Sequence, residues 1–178
     1  LLMLPPFYYK GVSEEGIFRS YADIIEKLND DRARIIIYDF PQMTGLEISA
    51  NLLVRLRRTF PDTVIGLKDS SGNWDDMKEA CDRLPGFAVY AGTEKFLLPV
   101  LRAGGAGCIS ATANVTSPGM ANLLANWEDA TADRIQDDVT TLRMTLQAYQ
   151  AAPGLKALLD HATGQSEWRN VRPPFVNL

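Results

Sequence analysis

The chain is poor in several residue types, and each shortage excludes a class of protein. It has two cysteines and one histidine among 178 residues, which leaves no metal-ligand spacing and no disulfide framework. No apolar run reaches the ~18 residues that a membrane-spanning helix needs. The 18 Lys and Arg are scattered and outnumbered by 22 acidic residues, so a nucleic-acid surface is not predicted. The opening LLMLPP lacks the basic segment of a signal peptide.

These shortages predict an ordinary globular protein of the cytoplasm, with no membrane or nucleic-acid partner. Cys81 and Cys108 are interpreted as reduced, buried thiols in a reducing compartment. The composition is 46% hydrophobic and 22% charged, which suffices for a real core. The chain has no initiator methionine and opens on an apolar run, so we expect it to be a piece of a longer protein.

Short aliphatic stretches alternate with longer amphipathic ones along the chain. Strands are predicted at 1–9, 33–41, 63–68, 87–92 and 106–114, each followed by a helix, with further helices at 118–129, 131–150 and 154–163. Ser13 and Ser49 are predicted helix N-caps, and Gly164 is a predicted helix stop. Strands joined by helical crossovers run parallel, so the predicted class is α/β.

Two α/β architectures fit this alternation, a doubly wound sheet and a (β/α)₈ barrel. The first βα turn lacks the Gly-x-Gly-x-x-Gly of a dinucleotide fold. Polar or aromatic residues instead follow several strands, as they do on the active-site face of a barrel. A closed barrel needs about 250 residues. We therefore expect strands four to eight of a TIM barrel in residues 1–117, a helical segment in 118–178, and three further strand-helix units before residue 1.

The third predicted strand, TVIGLK (63–68), ends in a lysine, for which two interpretations are open. A lysine at a strand end usually extends its stem and places its amine in solvent. Alternatively, apolar neighbours desolvate the amine of Lys68, so that it is neutral and nucleophilic. A neutral amine attacks a ketone to form an imine, and Tyr38 at the end of the preceding strand is placed to move protons. Such chemistry needs no metal and no cofactor, and none is predicted.

The sequence resembles the dihydrodipicolinate synthase / N-acetylneuraminate lyase family of pyruvate-dependent class I aldolases. The resemblance rests on four motifs in order and at family spacing: PPFYY (5–9), YDFPQMTG (38–45), GLKDSSG (66–72) and GGAGCISATANV (104–115). It implies that Lys68 forms the Schiff base with a 2-keto acid and that Tyr38 is the acid/base residue. Tyr9 would complete the proton relay of a neighbouring subunit, with Tyr8 packed beside it. The loop that holds the keto-acid carboxylate in this family would lie before residue 1.

The resemblance also implies substrate contacts beyond the catalytic residues. Ile109 would place its carbonyl near the keto acid, Gly92 would contact the distal part of the substrate, and Thr44 is the hydroxyl residue of the tyrosine loop. Ser70, Thr93 and Glu94 would hydrogen-bond substrate hydroxyls, and the alternative for these three is turn and cap chemistry. The family resemblance further implies a homo-oligomer, a dimer or tetramer, with contacts in the helical tail.

Departures from the family pattern narrow the substrate. Met43 stands where synthases carry an arginine for the second substrate's carboxylate, and methionine cannot supply that bidentate donor. Glu94, Lys95 and Ala111 stand where sialic acid lyases carry an Asp-Glu pair and a serine. The predicted reaction is retro-aldol cleavage or dehydration of a 2-keto-3-deoxy sugar acid or a 4-hydroxy-2-keto acid. The alternatives are a dihydrodipicolinate synthase and a non-catalytic keto-acid-binding barrel.

Overall fold

The computed structural model describes residues 1–178 and contains one sheet of five parallel strands. The strands are β1 (Leu2–Met3), β2 (Ile35–Asp39), β3 (Val64–Asp69), β4 (Ala88–Ala91) and β5 (Gly107–Cys108). Each strand pairs with the next along the chain, in the order β1-β2-β3-β4-β5. A doubly wound sheet reverses its strand order at a switch point, whereas a barrel wall adds strands in one direction. The predicted α/β class and barrel-type strand order are confirmed.

Eight helices surround or follow the strands. They are α1 (Glu14–Leu28), α2 (Pro41–Thr44), α3 (Ala50–Thr59), α4 (Trp74–Arg83), α5 (Leu97–Arg102), α6 (Ala113–Ala125), α7 (Ala132–Gln147) and α8 (Ala151–Thr163). Short 3₁₀ turns occupy Glu94–Phe96 and Ser166–Arg169. The predicted caps are confirmed: Ser13 Oγ accepts from the Gly16 N–H at 3.2 Å, and Ser49 Oγ from the Leu52 N–H at 3.0 Å. Gly164 ends α8 in the left-handed conformation, as predicted.

Backbone contacts divide the chain into two compact units, Leu1–Ile109 and Ser110–Leu178. The first unit holds the sheet, and its helices cover one face of it. Its core consists of aliphatic residues from α1, α3 and the central strands, among them Ile17, Ile35, Ile37, Leu52, Leu56, Val64, Leu67 and Val89. Because side chains alternate along a strand, the other face of the sheet carries Ile36 and Tyr38 of β2, which are half-buried.

The second unit consists of α6, α7 and α8, followed by the last 3₁₀ turn. Leu123 of α6 and Val139 of α7 are buried. Gly119 brings the two helices close together, because a Cβ added to it would lie 3.1 Å from Cγ2 of Val139. The boundary predicted after residue 117 falls inside α6. None of the helices combines the length and the apolar composition that crossing a bilayer requires.

Two predicted strands are much shorter than expected. The first covers Leu2–Met3 instead of 1–9, because Pro5 and Pro6 have no N–H to donate to a strand ladder. The fifth covers Gly107–Cys108 instead of 106–114, because α6 already begins at Ala113. The short helix α2 was not predicted, although Pro41 at its first position is a usual helix start.

Candidate active site

Lys68 and Tyr38 lie side by side on the face of the sheet opposite the helices of the first unit. They are register partners on β3 and β2. The Lys68 Nζ lies 3.8 Å from the centroid of the Tyr38 ring, so the amine rests against the face of that ring. Only 8% of Lys68 is exposed. The lysine therefore does not extend into solvent, and its amine is held against an aromatic ring.

The local sequence explains why these two side chains meet. Alternation along β2 points Ile35, Ile37 and Asp39 into the helical layer, which leaves Tyr38 on the opposite face. Tyr38 is stacked on Phe40, with ring centroids 5.6 Å apart and planes 19° from parallel. The ring is thus supported on one side by Phe40 and contacted by the Lys68 amine.

The loop after Tyr38 is held by Thr44 and Lys10. Thr44 is fully buried, and its Oγ1 donates to the Phe40 carbonyl at 3.1 Å and accepts from the Leu46 N–H at 3.2 Å. The Lys10 Nζ donates to the Thr44 carbonyl at 2.5 Å and also to the Phe7 carbonyl. The Thr44 hydroxyl therefore hydrogen-bonds to the loop backbone on both sides. These contacts are typical of a structural residue. Its predicted substrate contact stays a prediction.

The remaining predicted binding residues cluster at the carboxyl ends of β3, β4 and β5. The Gly92 N–H donates to the Asp69 carbonyl at 2.6 Å, and the Ile109 N–H donates to the Ala91 carbonyl at 2.9 Å. A Cβ added to Gly92 would lie 2.1 Å from Ser70 Oγ and 2.7 Å from the Asp69 carbonyl oxygen. Gly92 therefore allows two strand ends to approach each other. Ser70, Gly92 and Ile109 share one edge of the sheet with Lys68.

Thr93 and Glu94 follow Gly92 directly. Glu94 is completely buried, and it takes part in interactions of its own. Thr93 Oγ1 is buried with no hydrogen-bond partner in the protein. A buried hydroxyl without a partner is costly. Substrate binding by either residue stays a prediction.

Tyr9 lies on the segment after β1, outside the Lys68 cluster. It is 69% exposed and packs edge-to-face on Tyr8, with ring centroids 5.4 Å apart. Tyr8 is exposed as well. The predicted role of Tyr9, completing the site of a neighbouring subunit, requires an exposed side chain and stays a prediction.

Sequence reasoning missed a buried acid pair behind the site. Asp39 and Asp69 follow Tyr38 and Lys68 and are register partners. They line a cavity of about 420 Å³. Burial, and next the charge of Asp69, raises the pKa of Asp39 to about 7. Burial also raises the pKa of Asp69, although hydrogen bonds from Ser71 oppose that rise. The signal was present in the sequence, because two successive strands each end in aspartate.

The chain is similar to known proteins over its whole length. The sequence profile of the dihydrodipicolinate synthetase family matches residues 1–178. An uncharacterized DapA-like lyase of Chloroflexus aurantiacus is 30% identical over 161 residues, which cover 89% of this chain and 53% of the relative. A 4-hydroxy-tetrahydrodipicolinate synthase of Hydrogenobaculum sp. is 35% identical over 115 residues, covering 65% of this chain and 38% of that protein.

Solved structures agree with the fold. The dihydrodipicolinate synthase of Agrobacterium tumefaciens superposes with a TM-score of 0.86 at 33% identity, over 99% of this chain and 60% of that one. A 2-keto 3-deoxygluconate aldolase of Picrophilus torridus gives a TM-score of 0.86 at 26% identity, over 99% of this chain and 63% of that one.

The five parallel strands follow one another in barrel order and form part of an α/β barrel wall. This wall carries a buried lysine beside a tyrosine. The chain belongs to the dihydrodipicolinate synthetase family, as the sequence motifs predicted. It spans about half the length of the first of these curated relatives, 53%.

Proposed function

We propose that the protein is a Schiff-base lyase that acts on pyruvate-derived 2-keto acids. The single observation that carries the proposal is the buried Lys68 amine against the Tyr38 ring. An exposed lysine would be an ordinary surface charge. A buried amine on the open face of the sheet, beside a phenol, is a nucleophile with a proton carrier.

The chemistry follows from these two side chains. The Lys68 nitrogen, after loss of a proton, adds to the keto carbon, and loss of water from the carbinolamine gives the imine. The imine then accepts the electron pair of the breaking carbon–carbon bond and becomes an enamine, while the aldehyde fragment leaves. Protonation of the enamine and hydrolysis of the imine release the keto acid and restore the amine. Tyr38 moves the protons in these steps.

The substrate class is a 2-keto-3-deoxy sugar acid or a 4-hydroxy-2-keto acid. Met43 is 67% exposed and offers no bidentate donor to a second carboxylate. The likeness to a 2-keto 3-deoxygluconate aldolase supports this class. Cleavage or dehydration of such an acid is the proposed reaction.

A second candidate is dihydrodipicolinate synthesis. The relative in Hydrogenobaculum sp. is named 4-hydroxy-tetrahydrodipicolinate synthase and is 35% identical. This reaction condenses pyruvate with aspartate semialdehyde. A turnover assay with that aldehyde separates the two candidates. Efficient turnover would show that Met43 is compatible with the synthase reaction. A third possibility, a barrel that binds keto acids without turnover, is less well supported because a pure binder needs neither the amine nor the phenol.

The assembly is proposed to be a homo-oligomer, a dimer or tetramer. Tyr8 and Tyr9 form an aromatic pair that is exposed in the single chain. Burial of this pair between two subunits would explain why two large aromatic rings lie on the surface. In that assembly Tyr9 would complete the proton relay of a neighbouring subunit.

Borohydride reduction of the purified protein with pyruvate tests the proposed chemistry. We expect a single reduced adduct, read by intact mass and mapped to Lys68, that is absent in Lys68→Ala. Lys27→Ala is the matched control, because Lys27 lies exposed on α1 and its loss should leave the adduct unchanged. A folded protein that forms no adduct at saturating pyruvate would overturn the lyase in favour of the non-catalytic barrel.

A further inference from the structure

The short helix α2 begins three residues after Tyr38, and its own hydrogen bonds do not suffice to hold it. It contains four residues, and no side chain caps its start. A single helical turn is unstable in isolation, because nucleating a helix fixes several residues for one hydrogen bond. Contacts with other segments of the chain must therefore fix the position of α2.

Lys10 fastens α2 to the segment that follows β1. Its Nζ donates to the Thr44 carbonyl at 2.5 Å and also to the Phe7 carbonyl, and hydrogen bonds from a charged donor are stronger than neutral ones. The lysine stem lies along Gly45, since a Cβ added to Gly45 would lie 3.1 Å from Cδ of Lys10. The absence of a side chain at Gly45 thus leaves room for the lysine to reach both carbonyls.

Gln42 fastens α2 to the loop that follows β3. Its Nε2 donates to the Ser71 carbonyl at 2.5 Å. Ser71 is itself held in place, because its N–H and its hydroxyl donate to Oδ1 of Asp69 at 2.8 and 2.6 Å. Asp69 directly follows Lys68 in β3. Gln42 therefore connects the loop after the tyrosine to the loop after the lysine.

The position of α2 is transmitted to Tyr38 through Phe40. The Phe40 carbonyl accepts from the Thr44 N–H at 2.9 Å and from Thr44 Oγ1 at 3.1 Å. The Phe40 ring stacks on the Tyr38 ring, which in turn contacts the Lys68 amine. A shift of α2 therefore moves the ring on which Tyr38 rests.

We infer that Lys10 and Gln42 are positioning residues, which fix the Tyr38 hydroxyl relative to the Lys68 amine by tying α2 to the loops after β1 and β3. The inference rests on the proposed imine chemistry, in which Tyr38 carries protons. Neither Lys10 nor Gln42 has to touch the substrate. Misplacement of a reacting group by about 1 Å costs about 10²-fold in rate, so loss of either anchor should slow proton transfer by about tenfold or more.

Exchange of the pyruvate methyl protons in D₂O measures this proton transfer without a second substrate. The imine of pyruvate with Lys68 loses a methyl proton to become the enamine, and a deuteron from the solvent returns to the same carbon, with Tyr38 as the carrier. NMR of the methyl group reads the exchange rate. Reductive trapping on Lys68 reads imine formation separately.

Two near-isosteric substitutions remove the anchors. Lys10→Met keeps the stem and loses the ammonium, and Gln42→Glu replaces the amide donor by a carboxylate that repels the Ser71 carbonyl. For each variant we expect the exchange rate to fall by about tenfold or more, while the pyruvate concentration for half-maximal adduct stays the same. Lys10→Ala and Gln42→Ala serve if either variant fails to fold.

The same substitutions in a Tyr38→Phe background separate positioning from a general loss of structure. No hydroxyl is left to misplace there, so adding Lys10→Met or Gln42→Glu should lower the residual exchange rate no further. Lys78→Met and Gln147→Glu are the matched controls, because both residues are exposed on other helices. Both controls should keep the exchange rate of the unaltered protein.

Three results decide against parts of this account. An exchange rate equal to that of the unaltered protein in folded Lys10→Met and Gln42→Glu overturns the inference, as does an equal loss with and without the Tyr38 hydroxyl. An adduct on Lys68 without any methyl exchange in the unaltered protein removes Tyr38 as the proton carrier, and the inference with it. Absence of any pyruvate adduct in the unaltered protein would instead overturn the imine chemistry.

Discussion

Asp39 and Asp69 are register partners at the ends of β2 and β3, one residue beyond Tyr38 and Lys68. Asp39 is 6% exposed and Asp69 is 2% exposed. Oδ1 of Asp69 accepts from the Ser71 N–H at 2.8 Å and from its hydroxyl at 2.6 Å, whereas Oδ1 of Asp39 has no partner. Neighbouring buried carboxyls do not both ionise easily, so Asp39 is the one that keeps its proton.

Stability should therefore fall as the pH rises from about 4 to about 7. The pKa of Asp39 is about 7 in the folded protein against 3.8 for an unperturbed aspartate, so the folded state binds more protons across this window. Its ionisation costs up to ~4 kcal/mol above pH 7. Asp39→Asn removes that cost. We expect urea denaturation to show a higher free energy of unfolding for Asp39→Asn at pH 8, and little difference at pH 4.

Asp75→Asn is the control for this pH effect. Asp75 lies exposed in the first turn of α4. In Asp75→Asn the free energy of unfolding should therefore decline between pH 4 and 7 by as much as it does in the unaltered protein. If Asp39→Asn shows the same decline, the ionisation of Asp39 is not its cause.

Tyr38→Phe should separate imine formation from turnover. Phenylalanine keeps the ring that contacts the Lys68 amine and stacks on Phe40, but it removes the hydroxyl that moves protons. Loss of a positioned acid/base group typically costs about 10²- to 10⁴-fold. We expect pyruvate trapping at equilibrium to persist in Tyr38→Phe while kcat for keto-acid cleavage falls by that order. Tyr38→Leu should lose both, and full activity in Tyr38→Phe would remove Tyr38 from the proton path.

Gly92→Ala should destabilise the ends of β3 and β4. The added Cβ would lie 2.1 Å from Ser70 Oγ and 2.7 Å from the Asp69 carbonyl oxygen, and the backbone atom cannot rotate away. Overpacking of this kind costs about 2 kcal/mol. Thermal and urea unfolding measure the loss.

Gly16→Ala is the matched comparison for Gly92→Ala. Gly16 lies in α1, and its added Cβ would meet only Ser13 Oγ, at 3.5 Å. Alanine is the better helix former, by about 0.5–1 kcal/mol. We expect a stabilisation of that size. Equal effects of the two substitutions would show that the close contact at Gly92 relaxes without cost.

Thr44→Val should lower stability, with Thr44→Ser close to the unaltered protein. Valine keeps the shape and leaves the Leu46 N–H and the Phe40 carbonyl without their hydroxyl partner, at a cost of about 1–3 kcal/mol. If the role is structural, the half-maximal pyruvate concentration for adduct formation should be the same in folded Thr44→Val. A large rise in that concentration without loss of stability would make Thr44 a substrate ligand.

Local patterns in the sequence predicted the parts of this protein that depend on neighbours along the chain. The β-branched run in IIIYD (35–39) predicted a strand ending near Tyr38, and Ser13 and Ser49 marked helix starts, all of which the structure confirms. The strand ends were less predictable. The first strand is shorter than predicted because Pro5 and Pro6 cannot donate to the strand ladder. The fifth is shorter because α6 begins at Ala113, inside the predicted strand.

The sequence by itself determined the α/β alternation, the family and the identity of the lysine and tyrosine, because side-chain period and motif spacing are local properties. The tertiary structure decided which residues became neighbours. Lys68 lies beside Tyr38, and Asp39 faces Asp69, only because β2 and β3 pair in one register. That register depends on packing between segments far apart in the chain. Burial, and with it the raised pKa of Asp39, follows from the same packing and cannot be read from any short stretch.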